Sequence, residues 1–194
     1  MNVIKYFRYA FQRAKSLGLP LICLDKSNVV PHHVFWRKIA EKIHEKEFSD
    51  VEMRVLFSDD AVRTLLHPER LHGVIACTNV DGDYLSDGAL EAVGSMGLMY
   101  SSAINPDNGM AMFESGAGTY PEAKGKDIAN PIGRILTGAL MLRHIGAVQG
   151  ADAIERAVQE TLKAGYRTPD LASGVSGEIR VGTKAMAMEI MSYL

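Results

Sequence analysis

Cysteine is scarce: Cys23 and Cys77 are the two in 194 residues, both inside apolar runs and not in a C-x-x-C pair. That excludes a disulfide-stapled scaffold and the paired-thiol redox and zinc motifs, and it points to a reducing compartment, expected to be the cytoplasm. Apolar runs long enough to span a bilayer are missing, and the N-terminus lacks signal-peptide order, so no membrane partner is expected. An excess of one charge is missing too. With 21 Lys and Arg against 23 Asp and Glu, the formal net charge is −2, and no nucleic-acid partner is expected from composition. Neither G-x-G-x-x-G nor G-x-x-x-x-G-K-[ST] occurs, which removes the usual phosphate cradles, and no G-x-S-x-G nucleophile elbow is present. What remains is a domain-sized chain, 47% hydrophobic, whose expected partner is a small molecule or another protein.

The pattern along the chain is that of an α/β fold. Phe7, Phe11 and Ala14, joined by Val3 or Ile4, fall on one helical face, and Gly18 and Pro20 end that helix. Residues 19–24 read as a buried strand running into Asp25, Lys26, Ser27 and Asn28. A helix follows with Phe35, Ile39 and Ile43 on one stripe and Trp36 and Ala40 beside it. Val51, Met53, Val55 and Phe57 alternate as in a half-buried strand that ends at Ser58, Asp59 and Asp60. Residues 61–66 read as helix, and 73–76 as a short strand entering Thr78, Asn79 and a turn at Asp81-Gly82. Strands alternating with helices predict a largely parallel sheet, with ligand sites just beyond strand ends.

Residues 94–126 are richer in Gly, Ser and Pro and read as loop on a small sheet; 94–108 could divide a front lobe from a helical back lobe. Beyond them Asn130 can cap and Pro131 open a helix whose face carries Ile135, Ala139 and Leu142. Ile154, Ala157, Val158 and Leu162 form the apolar side of another, stopped by Gly165. A last helix spans 183–193, with Met186, Met188 and Met191 as fillers of core or interface space.

Few residues stand out chemically. Asp83 and Asp87 lie four apart, on one face of a helix, and suit a hard cation such as Mg2+ or Mn2+; acidic residues also favour first helical turns for the macrodipole. Asp59 is open to two readings, a third oxygen ligand or a helix cap. Lys26, directly after a buried strand, has the placement of a proton-transfer group as well as that of a solvated lysine. His32 and His33 lack partners at metal-binding spacing and read as surface or satisfied polar groups, while Cys23 and Cys77 read as core.

Taken in order, the motifs resemble one family. Asp25-Lys26-Ser27-Asn28-Val29, Asn79-x-x-Gly82-Asp83-Tyr84-Leu85-Ser86-Asp87, Phe113-Glu114 with Gly118-Thr119-x-Pro121, Gly125-Lys126-Asp127-Ile128-Ala129-Asn130-Pro131, Met141-Leu142-Arg143-His144-Ile145-Gly146 and Gly165-Tyr166-Arg167-Thr168 together resemble the decarboxylating isocitrate and isopropylmalate dehydrogenases. Tyr84 and the run Met141 to Gly146 lean toward the isocitrate branch.

The resemblance implies a three-layer isocitrate/isopropylmalate dehydrogenase-like fold, incomplete because only the C-terminal half is matched. Residues 1–93 would be a small α/β lobe with a metal and lysine site, and 94–194 the cofactor loop and helical part of the large lobe. It implies proton transfer for Lys26, Mg2+ or Mn2+ binding for Asp83 and Asp87, and a third ligand from across a dimer interface. Counting from Asp83 makes that ligand Asp59, and counting from Pro68 would make it Ser58. The implied substrate is a small acidic 2-hydroxy acid, which a cation helps to bind.

For the nucleotide, the resemblance implies contacts from Glu114, Gly118, Thr119 and Asn130. Glu122 is placed to accept hydrogen bonds from the ribose of NAD and to repel the 2′-phosphate of NADP. The loop departs from the family pattern, with Ala117 in place of a histidine against adenine and Tyr120 in place of a small residue, so any NAD is expected to be held weakly. Absent are the N-terminal strands and the arginine cluster that would grip substrate carboxylates. Two expectations follow: a truncated or split NAD-dependent decarboxylating dehydrogenase, working as a homodimer or with a complementary N-terminal half, or a catalytically silent homologue that dimerises or binds a partner.

Overall fold

The structure is a computed structural model that describes residues 2–194 apart from Leu66. The final residue of the helix expected over 61–66 therefore lies outside the described residues. The chain divides into two compact units, Met1–Ala92 and Val93–Leu194.

The first unit is three layers deep. Helix α1 (Val3–Leu17) is capped by Asn2, whose Oδ1 accepts from the N–H of Ile4 at 3.0 Å, and ends at Gly18, held at φ 65° in the left-handed region that glycine enters without strain. Strand β1 (Leu21–Asp25) is central, paired in parallel with β2 (Met53–Phe57) on one side and β3 (Val74–Ala76) on the other. Alternate residues of β1 face opposite layers. Leu21 and Cys23 join Phe7, Phe11, Trp36 and Ala40 from α1 and α2 (Pro31–Glu47), whereas Ile22 and Leu24 join Ala61 and Leu85 from α3 (Ser58–Thr64) and α4 (Asn79–Val93).

Three details differ from the sequence-based expectation. Phe35 is 68% exposed, because α2 turns His33, Trp36, Ala40 and Ile43 inward instead. Val55 is also exposed, since β2 is an edge strand covered incompletely. No turn forms at Asp81-Gly82: α4 starts at Asn79 and runs through both. Thr78 supplies the reason, its hydroxyl donating to Asp81 Oδ2 at 2.7 Å while its carbonyl accepts from the N–H of Gly82 at 2.9 Å.

The second unit pairs β4 (Ser101–Ile104) and β5 (Ala111–Glu114) as an antiparallel hairpin. Helices α5 (Ile132–His144), α6 (Val148–Lys163) and α7 (Thr183–Ser192) enclose a core of Ile132, Ala157, Val158, Met186 and Ile190. A short parallel pair, β6 (Tyr166–Arg167) with β7 (Ile179–Arg180), closes its edge. Met186 is fully buried, but Met188 and Met191 are exposed, because a single face of α7 meets the core. No helix among the described residues is long and apolar enough to cross a membrane.

Candidate functional site

Strand β1 ends on a charge that its own apolar run has buried. Asp25 is fully buried, and its carboxylate accepts from Arg37 Nε at 2.5 Å, from the second Arg37 nitrogen at 2.9 Å and from the N–H of Ser27 at 2.8 Å. Burial pushes the Asp25 carboxyl up, but the guanidinium and the Ser27 N–H outweigh it and hold the group below the usual carboxylate range. The chain turns immediately afterward, with Val30 N–H donating to the Lys26 carbonyl at 2.8 Å. Lys26 is thus delivered at the carboxyl end of the central strand, where open α/β sheets place ligands.

The Lys26 ammonium lies 2.5 Å from Asp59 Oδ1 and 5.9 Å from the centre of the Phe57 ring, over which Arg37 also stands at 5.3 Å. That ion pair keeps the Asp59 carboxyl below its ordinary range. Ser58, the alternative to Asp59 as a third metal ligand, donates its hydroxyl to the Asp25 carbonyl at 3.2 Å. A cleft of about 160 Å3 lies between α3 and α4, with Ser58, Asp59 and Val62 on one side and Asp81 and Tyr84 on the other; Asp59 lines it and Lys26 does not.

Asp83 and Asp87 do not line this cleft. They lie two and six residues after Asp81, which carries them around to another face of α4, where both are exposed. Neither side chain has a hydrogen-bonding or ionic partner among the described residues, and no group of three or more His, Cys, Asp or Glu there is gathered to hold a metal. Two free carboxylates on one helix face are nonetheless hard oxygen donors of the kind Mg2+ and Mn2+ take.

In the second unit Glu114 is exposed at the end of β5, Gly118 and Thr119 are exposed in the loop beyond, and Glu122 is exposed in the short helical turn Pro121–Ala123. Asn130 is different. Its Oδ1 accepts from the N–H of Ile132 at 3.0 Å, although α5 begins at Ile132 with Pro131 rather than Asn130 at the cap position, and its Nδ2 donates to Asp170 Oδ2 at 3.0 Å. Asp170 also accepts from the Ser95 hydroxyl, and a Cβ on Gly97 would fall 2.5 Å from that of Asn130. Burial pushes the Asp170 carboxyl up, while the bonds from Ser95 and Asn130 outweigh this and hold it low.

Sequence reasoning missed Arg37, Asp170, Ser95 and the role of His33. The i, i+4 spacing of His33 and Arg37 was a signal for the first pair; nothing local joins Ser95 or Asn130 to Asp170. The cysteines are as expected, with burial pushing Cys23 up to about 12 and Cys77 up to about 11, out of the range of a ready nucleophile.

The family model described as isocitrate/isopropylmalate dehydrogenase matches residues 2–190. The chain belongs to that family. A 3-isopropylmalate dehydrogenase of Syntrophotalea carbinolica is 36% identical over 194 residues, 100% of this chain and 53% of that protein. One from Sodalis glossinidius is 39% identical over 180 residues, 92% of this chain and 48% of that protein. The crystal structure of isocitrate dehydrogenase from Methylococcus capsulatus matches with a TM-score of 0.88 at 32% identity, covering 98% of this chain and 55% of that one. The chain thus spans about half the length of the isocitrate/isopropylmalate dehydrogenase relatives it matches, and both branch names occur among them.

Proposed function

We propose that this chain carries the metal and lysine half of an NAD-dependent, Mg2+- or Mn2+-dependent oxidative decarboxylase of a small acidic 2-hydroxy acid, isocitrate or isopropylmalate, in the cytoplasm. The observation that carries this reading is Lys26, delivered at the carboxyl end of β1 and paired with Asp59. Its ammonium, held at the end of β1 against Asp59, would give a proton to, or take one from, a substrate hydroxyl or carbanion brought to that strand end. Asp59 and the Phe57 ring restrict where that nitrogen can go.

The donor set fits a divalent cation in halves. Asp83 and Asp87 would supply two carboxylates and Asp59 of a second copy the third, which is why a homodimer is part of the proposal; a complementary N-terminal half would instead bring the substrate-gripping arginines. When bound, such a cation polarises the hydroxy acid and stabilises negative charge left after CO2 loss. Glu122, exposed and acidic, would favour NAD over NADP; Glu114, Gly118, Thr119 and Asn130 would complete the nucleotide contacts.

Calorimetric titration with Mn2+ tests the metal half: Asp83→Asn should weaken binding, and a variant that binds like the parent removes the assignment. NADH formation from isocitrate or isopropylmalate, with and without a separately supplied N-terminal half, tests the reaction. A second reading, a catalytically silent homologue that dimerises, is favoured by Ala117 and by Asn130, both of whose side-chain polar ends are already engaged. Absence of turnover in both arms, with Mn2+ binding also absent, would select it.

A further inference from the structure

Helix α2 reaches back to the turn after β1 with two side chains, not one. Arg37 takes the Asp25 carboxylate, and one helical turn earlier His33 takes the main chain of the next residue: its Nδ1 lies 2.8 Å from the Lys26 nitrogen and accepts that N–H. His33 is 7% exposed, so water cannot readily replace it. Only a ring neutral at Nδ1, with its proton on Nε2, can accept there.

We propose that His33 is a positioning residue for Lys26, acting as one arm of a clamp that fixes the lysine's backbone while Arg37 fixes Asp25. Without the imidazole acceptor, the 25–30 turn keeps its own bonds from Ser27, Val29 and Val30 but loses the one that ties Lys26 to α2. The lysine then leaves the strand end with more rotational freedom, and its ammonium spends less time against Asp59. The inference rests on the proposed role of Lys26, since a group acting through Lys26 matters to the reaction only if Lys26 does.

Protonation has a defined consequence. A proton on Nδ1 turns the acceptor into a donor facing another donor, so the bond to Lys26 must break. His33 accepts from the Lys26 N–H, sits one helical turn from Arg37 and its partner Asp25, and has His32 edge-on at 4.9 Å between ring centres. From the packed α1, Tyr6 stands against Trp36, and from β1 comes the buried Cys23. Burial pushes both of these groups up to about 12.

The test is an NMR titration of the whole 15N-labelled chain from about pH 8 to about pH 5, the range in which imidazoles ionise. In the parent protein the Lys26 amide shift should follow the same curve as the His33 ring. In His33→Asn, whose Oδ1 can replace Nδ1 without titrating, that amide should stay near its high-pH position and be flat. In His33→Leu it should sit displaced at every pH, and reductive methylation of Lys26 relative to Lys15 should be faster than in the parent, with His33→Asn restoring the parent ratio. A Lys26 amide that ignores the ring titration, or that titrates unchanged in His33→Asn, overturns the proposal. Because His33→Asn keeps the bond, a folding failure of His33→Leu leaves the question decidable. Mn2+ titration of the same samples reports on the enzyme reading separately: intact clamp with no metal binding sinks that reading, and metal binding with no clamp sinks only the role of His33.

Discussion

The two units hold their candidate functional groups in opposite ways. In Met1–Ala92 the end of β1 is locked: a fully buried carboxylate, a guanidinium fork, an imidazole acceptor and a second ion pair fix residues 25 and 26 before any ligand arrives. In Val93–Leu194 the loop bearing Glu114, Gly118, Thr119 and Glu122 is laid open to solvent, and Asn130 alone is held on both sides. Proton transfer needs an atom placed within hydrogen-bond reach, so the first arrangement suits chemistry; a nucleotide can organise exposed groups as it binds, so the second suits recognition.

The sharpest way to break that contrast is to unlock the first unit. Arg37→Ala leaves the Asp25 carboxylate buried without its counter-ion and should cost about 3 kcal/mol or more in urea denaturation. The same pair predicts the acid limb of stability. Because the folded Asp25 titrates below its unfolded value of about 3.9, its contribution is complete above that pH and is lost as the pH falls further. Melting temperature followed downward from about pH 5 should therefore fall in the parent and fall less steeply in Arg37→Ala.

Next in size is Gly97→Ala. The added Cβ crowds Asn130, and overpacking of this kind costs about 1–3 kcal/mol. If the second unit recognises NAD through Asn130, titration of this variant should show weaker NAD binding than the parent. Asp59→Asn should move the melting temperature far less than Arg37→Ala, because the carboxylate is mostly exposed, and should raise the methylation rate of Lys26. Smallest in stability is Glu122→Ala, expected to leave the melt unchanged while narrowing any preference for NAD over NADP in paired titrations. Equal preference before and after would remove Glu122 from the nucleotide site.

Much of the architecture was legible in sequence because it is written in local periodicity. Phe7, Phe11 and Ala14 on α1 and the wholly apolar approach to Asp25 each follow from spacing and residue type. The failures share a cause. Phe35 fits a stripe with Ile39 and Ile43 as well as Trp36 fits one with Ala40 and Ile43, and only the neighbouring α1 and sheet choose between them. Gly82 reads as a turn until Thr78 is seen to cap a helix that passes through it.

The sequence by itself determined the family, the alternation of strands and helices and the chemistry available at Lys26, Asp59, Asp83 and Asp87, because motif order and apolar period are properties of the chain read linearly. Only the tertiary structure decided which of these groups meet. It paired Lys26 with Asp59, and it turned Asp83 and Asp87 away from the cleft that Asp81 faces. It also brought His33 and Arg37 back onto the strand end. Those choices rest on long-range packing and on the requirement that a buried charge and a buried N–H find partners, and no spacing along the chain contains that information.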